Sequence, residues 1–192
     1  MQLRQWQHPG LVCVAVLLCA LPGMRAAADD ANRFEIRNAY VELKEGSWQL
    51  DVRLDFGLSR AARQAFEEGV PLTLLVEAEA STTRRLLPDA TVVSRSYEWE
   101  LAHDAIANRY VVIDPVTGQH DSYASQDEAL AAWSRISGLQ LADTSLLPER
   151  ERFEMRVRAS VEIGDLPAAV KLVLFWKSWS RSTDWYVWSV RP

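Results

Sequence analysis

Cysteine is nearly missing from this chain: Cys13 and Cys19 are the only two, and both stand before residue 20. Everything after them lacks a thiol, which excludes a disulfide framework and a cysteine nucleophile from that stretch. Basic runs are lacking as well. Arg84-Arg85 is the sole adjacent pair of cations, and the net charge is −5. Nucleic-acid binding draws most of its affinity from lysine and arginine on phosphates, so an acidic chain without a basic patch is no nucleic-acid partner. There is no Gly-x-Ser-x-Gly elbow, no glycine-rich phosphate loop and no dinucleotide fingerprint. No cofactor is implied. Long apolar runs are missing too: Leu11 to Leu21 is uncharged but only about 11 residues long, against the ~20 that cross a bilayer as a helix.

What is present at the start reads as a targeting segment. Arg4 supplies a positive charge, the Leu11–Leu21 run follows, Pro22-Gly23 breaks it, and Ala26-Ala27-Ala28 offers a small-x-small cleavage site before Asp29. Lipid attachment does not fit, since Val12 and Leu18 stand before the two cysteines where a small residue is needed. The expectation is a signal peptide over 1–28 and one domain over 29–192, exported to the periplasm. That domain contains no transmembrane helix. Removing the leader takes Arg4, Arg25 and both cysteines, and moves the net charge from −5 to −7. At about 160 residues the remainder buries roughly 70% of its unfolded surface, enough to fold on its core alone.

Period-two patterning dominates that domain. From Trp48 to Phe56 every even position is apolar, with Gln49, Asp51, Arg53 and Asp55 between. Successive strand side chains alternate faces, so this is a strand with one face buried. Leu72 to Ala80 and Phe153 to Ile163 repeat the pattern, and Val93 to Leu101 does so less cleanly. The apolar phase slips near Asn38-Ala39, which predicts a β-bulge, and Glu45-Gly46 predicts a hairpin turn. Two helices interrupt the strands. Ser59 caps one that presents Ala61, Ala62, Ala65 and Phe66 and ends at Gly69. Ser125 and Glu128 form a capping box for another that presents Ala129, Leu130, Ala132, Trp133 and Ile136 and stops at Gly138. Asp114 to Gly118 reads as a turn. The fold class is therefore α+β, mainly antiparallel β, as a sandwich or curled sheet with two short helices.

Several segments resemble one family of exported Gram-negative proteins, the domain-of-unknown-function family numbered 4390. They are Phe34 to Val41, Arg109 to Asp114 with Thr117-Gly118, Arg156-Val-Arg158, Leu166-Pro167 and Trp185-Tyr-Val-Trp188. The likeness spans residues 34–190. It brings no catalytic or ligand residue with it, and it implies an association with an envelope sensor system.

The candidate chemistry is sparse. His103-Asp104 and His120-Asp121 have the donor types of a divalent metal site. If residues 106–113 form one strand, the two histidines are turn residues at its opposite ends, roughly 25 Å apart, so no metal site is expected. Glu77/Glu79 and Glu98/Glu100 are same-face carboxylate pairs at a spacing seen in inverting glycosidases. A catalytic acid needs burial to raise its pKa, and these lie on polar faces, where Arg156 and Arg158 of a neighbouring strand can pair with them. No residue is assigned a catalytic role. Trp176, Trp179, Trp185 and Trp188 crowd into thirteen residues among Ser178, Ser180, Ser182 and Asp184. Trp179 and Trp185 are the candidate binding residues, as an aromatic platform; the same tryptophans can instead close the core. The resulting expectation is a non-enzymatic periplasmic binding module with an envelope protein as partner. An envelope hydrolase acting on cell-wall or sugar substrates is the rival, and a purely structural envelope protein the third.

Overall fold

The structure is a computed structural model describing residues 33–82, 90–114, 116–150, 152–163 and 180–191. The leader expected at 1–28 lies outside these residues, as do Trp176 and Trp179.

Glu45 and Gly46 have φ of 51° and 79°. Positive φ at both central residues makes a type I′ turn, whose twist matches that of the flanking strands. It joins β1 (Phe34–Lys44) to β2 (Ser47–Phe56) as an antiparallel hairpin. The register shifts between Ile36 and Asn38, leaving Arg37 as the extra residue of a bulge. The slip of apolar phase thus had a backbone cause: one added residue flips the faces. Ser59 accepts the Ala62 N–H at the head of α1 (Arg60–Glu67), and Gly69, at φ 89°, follows its end. The helix buries Ala62, Ala65 and Phe66.

The longest ladder runs through β3 (Leu72–Thr82), which pairs antiparallel with β4 (Ala90–Asp104) on one side and β8 (Phe153–Ile163) on the other. Beyond β4 lie β5 (Arg109–Ile113) and the short β6 (His120–Tyr123). Beyond β8 lie β9 (Ser180–Ser182) and β10 (Tyr186–Val190), both on its free side. The second sheet has the order β1-β2-β7, with β7 at Arg135–Asp143. Both sheets are antiparallel throughout, and α2 (Gln126–Trp133) sits against β5, β6 and β7.

One apolar layer fills the space between the sheets. Leu50, Leu72, Leu74, Val76, Leu101, Leu141, Met155, Val157 and Val161 have at most 1% of their surface exposed. Trp48 spans the layers: its ring meets Phe153 edge-on at 5.3 Å, and its indole N–H donates to the Leu147 carbonyl at 2.8 Å.

Two expectations are corrected. The second helix does not continue to Gly138: it ends at Trp133, and Ile136 belongs to β7. Gly138, at φ 71°, lies inside that strand, where the four residues from Ile136 to Leu139 face the three from Leu50 to Val52, and its N–H donates to Asp51. The glycine marks a bulge. Residues 106–113 are likewise not one strand. A turn occupies 105–108, with Asp104 accepting the Ile106 and Ala107 amides, and β5 begins only at Arg109.

Candidate functional site

The outer face of the larger sheet carries the polar residues of β3, β4 and β8. Direct register places Glu77 opposite Arg158 and Glu79 opposite Arg156. Arg158 donates to Glu77 Oε2 from Nε at 2.9 Å and from Nη2 at 2.6 Å. Arg156 engages Glu79 Oε2 in the same way, with its Nε at 2.8 Å. The pairing expected from strand periodicity is therefore present. Each cross-strand pair is part-exposed and contributes little, about 0.2–1 kcal/mol.

Trp185 completes this patch. The guanidinium carbons of Arg156 and Arg158 each lie 4.8 Å from its ring centroid. At that distance the ring's negative face attracts a cation. One half-buried indole thus sits across two arginines whose remaining donors are drawn toward two carboxylates.

The local chain explains how Trp185 gets there. Ser182 is opposite Ser160, whereas Tyr186 is opposite Val157. Three β8 steps face four steps of the last segment, so β9 and β10 form one strand interrupted by an extra residue. Thr183 holds the interruption: its N–H donates to the Ala159 carbonyl, and its hydroxyl accepts the Ala159 N–H at 3.1 Å while donating to the Asp184 carbonyl at 2.8 Å. After it, Tyr186 and Trp188 turn inward against the core, and Val187 points outward, 51% exposed. Trp188 packs against the core, and Trp185 sits on the outer face over the two arginines.

The carboxylates Glu98 and Glu100 are exposed on β4, two strands from the arginines. The histidines are placed differently from expectation. His103 is not a turn residue; it lies in β4 opposite Tyr110, and its ring stacks on that tyrosine at 4.7 Å. Both its ring nitrogens are buried and have no hydrogen-bond partner among the described residues. His120 is exposed in β6 opposite Ile113. Because β5 spans only Arg109–Ile113, the two are roughly 14 Å apart and not 25 Å, from three residues along a strand and two strand spacings across. Tyr110 and Ile113 differ by an odd number of residues, so the histidines face opposite sides of the sheet and cannot share an ion.

A cleft of about 250 Å³ opens between the end of β2 and the two helices, lined by Leu54, Phe56, Arg63, Asp127, Leu130 and Ser134 among others. Arg63 is its cation and already donates to Gln126 at 2.7 Å and Asp127 at 3.4 Å. The volume falls below the ~300–1,000 Å³ of most small-molecule sites.

Two tyrosines titrate above their ordinary range. Burial pushes up the Tyr97 phenol, against a smaller opposing effect of Arg95; its O–H donates to the Gln140 carbonyl of the other sheet. Burial and then Asp121 raise Tyr123. Neither phenol lies in the Trp185 patch.

The sequence already paired the glutamates with the arginines; it did not place Trp185 over them. The discoverable signal was the polar triplet Ser182-Thr183-Asp184, which interrupts an otherwise apolar strand next to the Arg-x-Arg segment. Among the described residues no helix is long and apolar enough to cross a membrane, and no three His, Cys, Asp or Glu residues gather as metal ligands. No curated protein and no solved structure shows a significant match to the chain. A family model does, over residues 31–189, and the chain belongs to the family described as domain of unknown function DUF4390.

Proposed function

We propose that this protein is a non-enzymatic binding module of the periplasm, accessory to an envelope sensor system, with the outer face around Trp185 as its contact surface. One observation carries the reading: of the two carboxylate pairs spaced like an acid–base pair, Glu77 and Glu79 are each ion-paired with an arginine under one indole, and Glu98 and Glu100 are exposed on the sheet face. A general acid needs a carboxyl whose proton is held into the working pH range. Glu77 and Glu79 are each part-exposed on the outer face, with one oxygen already taken by an arginine. An indole over paired arginines presents instead the residue types that anchor protein contacts, where tryptophan and arginine are enriched. Export to the periplasm rests on the leader pattern of residues 1–28, and the link to a sensor on family resemblance.

The test is site-specific photocrosslinking in cells from position 187, beside the patch, with position 106 in the β4–β5 turn as control. A single adduct with an envelope protein is expected from 187 and not from 106, and Trp185→Ala should abolish it while the protein remains folded. Equal adducts from both positions would refute the surface. Cell-wall hydrolysis by the purified protein, lost in Glu77→Gln or Glu79→Gln, would replace the reading with the hydrolase.

A further inference from the structure

The smaller sheet ends in β1, an eleven-residue strand that pairs with β2 alone among the described residues. We infer that this edge is self-complementary and docks a second copy of the same chain antiparallel to itself, joining two three-stranded sheets into one of six. This inference stands apart from the Trp185 surface, which lies on the other sheet.

The argument begins with which residues face where. Ile36 and Ala39 are buried, and Val41 and Leu43 pack against the core. Glu35, Asn38, Tyr40, Glu42 and Lys44 are exposed, with Tyr40 half uncovered at 50%. Arg37 is the extra residue of the bulge and donates to Asp55 at 2.8 Å. In any extended sheet an inward residue must oppose an inward one. The bulge makes that demanding, because the face pattern inverts across it.

A two-fold axis through Tyr40 meets the demand along the strand. Tyr40 then opposes its own counterpart, Ala39 opposes Val41, and Asn38 opposes Glu42. Past the bulge Ile36 opposes Leu43, and Glu35 opposes Lys44. Every pair matches in face, and the end pair matches in charge, occurring twice by symmetry. Arg37 stands beside the Glu42 of the second copy. Within one chain Lys44 already bonds Glu42 at 3.0 Å, so it would lie between that carboxylate and Glu35 of the second copy.

Neighbouring registers do worse. With the axis through Ala39, Glu35 falls opposite Glu42, and like charges directly opposed are destabilising. With the axis through Val41, Glu35 falls opposite Gly46 in the turn and Lys44 opposite Asn38, so the charge match is lost. Only the Tyr40 register pairs Glu35 with Lys44.

The absence of cysteine from residue 20 onward makes the test direct. Residues opposed across an antiparallel pair have Cα atoms about 4.5–5.5 Å apart, within the span of a disulfide. Tyr40→Cys, at the axis, should therefore give a disulfide-linked dimer of the leaderless protein under mild oxidation. Glu42→Cys should not, since its counterpart is Asn38. Sedimentation of the unmodified protein should show a concentration-dependent dimer. Lys44→Glu should weaken it about ten-fold, as two attractive pairs become repulsive, and adding Glu35→Lys should restore it. A monomer at all concentrations, equal crosslinking from positions 40 and 42, or no rescue by the charge swap would overturn the inference. Crosslinking of Tyr40→Cys in cells only to a different envelope protein would assign the edge to that partner and overturn it equally.

Discussion

Val157 and Arg158 are adjacent in β8 and occupy opposite environments: Val157 is fully buried, while the Arg158 side chain is 38% exposed and paired with Glu77. Val157→Asp should cost several kcal/mol in a denaturation midpoint, because a carboxylate in the layer between the sheets has neither water nor a partner. Arg158→Gln should cost under about 1 kcal/mol, since the lost ion pair was screened by solvent. Comparable losses for the two would contradict the strand phase. Thr183 is a subtler case. Its hydroxyl accepts the Ala159 N–H, so Thr183→Val, which keeps the shape, should strand that donor and cost about 1–3 kcal/mol. Thr183→Ser should retain most of the stability. Hydrogen exchange at the Ala159 amide reads the difference directly, and unchanged protection in the valine variant would remove Thr183 from its role in seating Trp185.

At the scale of elements, what was legible in the sequence were the strands with one wet face. Trp48–Phe56, Leu72–Ala80 and Phe153–Ile163 alternate because each has solvent on one side, so their phase is written in residue type. The Glu77–Arg158 and Glu79–Arg156 pairs followed from those phases. β7 was not legible: Gly138 inside it breaks the alternation, and Ile136 falls at helical spacing from Trp133, so its first residues read as the end of α2. The Asp104–Asn108 turn was hidden by Ile106, an isoleucine fully exposed at its tip, which prolonged the apolar run into β5. Trp185 could not be placed because the bulge at Thr183 depends on the register with β8, a contact between residues some 25 apart in the chain. The hairpin turn offers a test at this scale. Glu45 holds φ 51°, which is costly for an ordinary L-residue and tolerated by asparagine. Glu45→Asn, giving Asn-Gly, should raise stability by about 0.5–1 kcal/mol; a lower melting temperature would mean that Glu45 makes an interaction outweighing its backbone conformation.

For the molecule as a whole, the sandwich depends on contacts between its two sheets, and Tyr97 makes a polar one. Its phenol stands on β4 and donates to the Gln140 carbonyl on β7. Burial holds its pKa above the ordinary value of 10.0. The folded protein therefore keeps this proton more tightly than the unfolded chain does. Linkage then fixes the sign: the contribution is fully present below pH 10, and stability is lost as pH rises from there through the folded-state pKa. Tyr123, also raised, adds to the same loss, whereas acid should leave both phenols untouched. Tyr97→Phe should accordingly lower stability at neutral pH by about 1 kcal/mol, through the lost hydrogen bond and the unpaired Gln140 carbonyl. It should also flatten the decline of the midpoint above pH 10. The two effects distinguish the explanations. A variant that is weaker at pH 7 but declines as steeply as the wild type at high pH would show that Tyr97 packs between the sheets without its phenol proton coupling to folding.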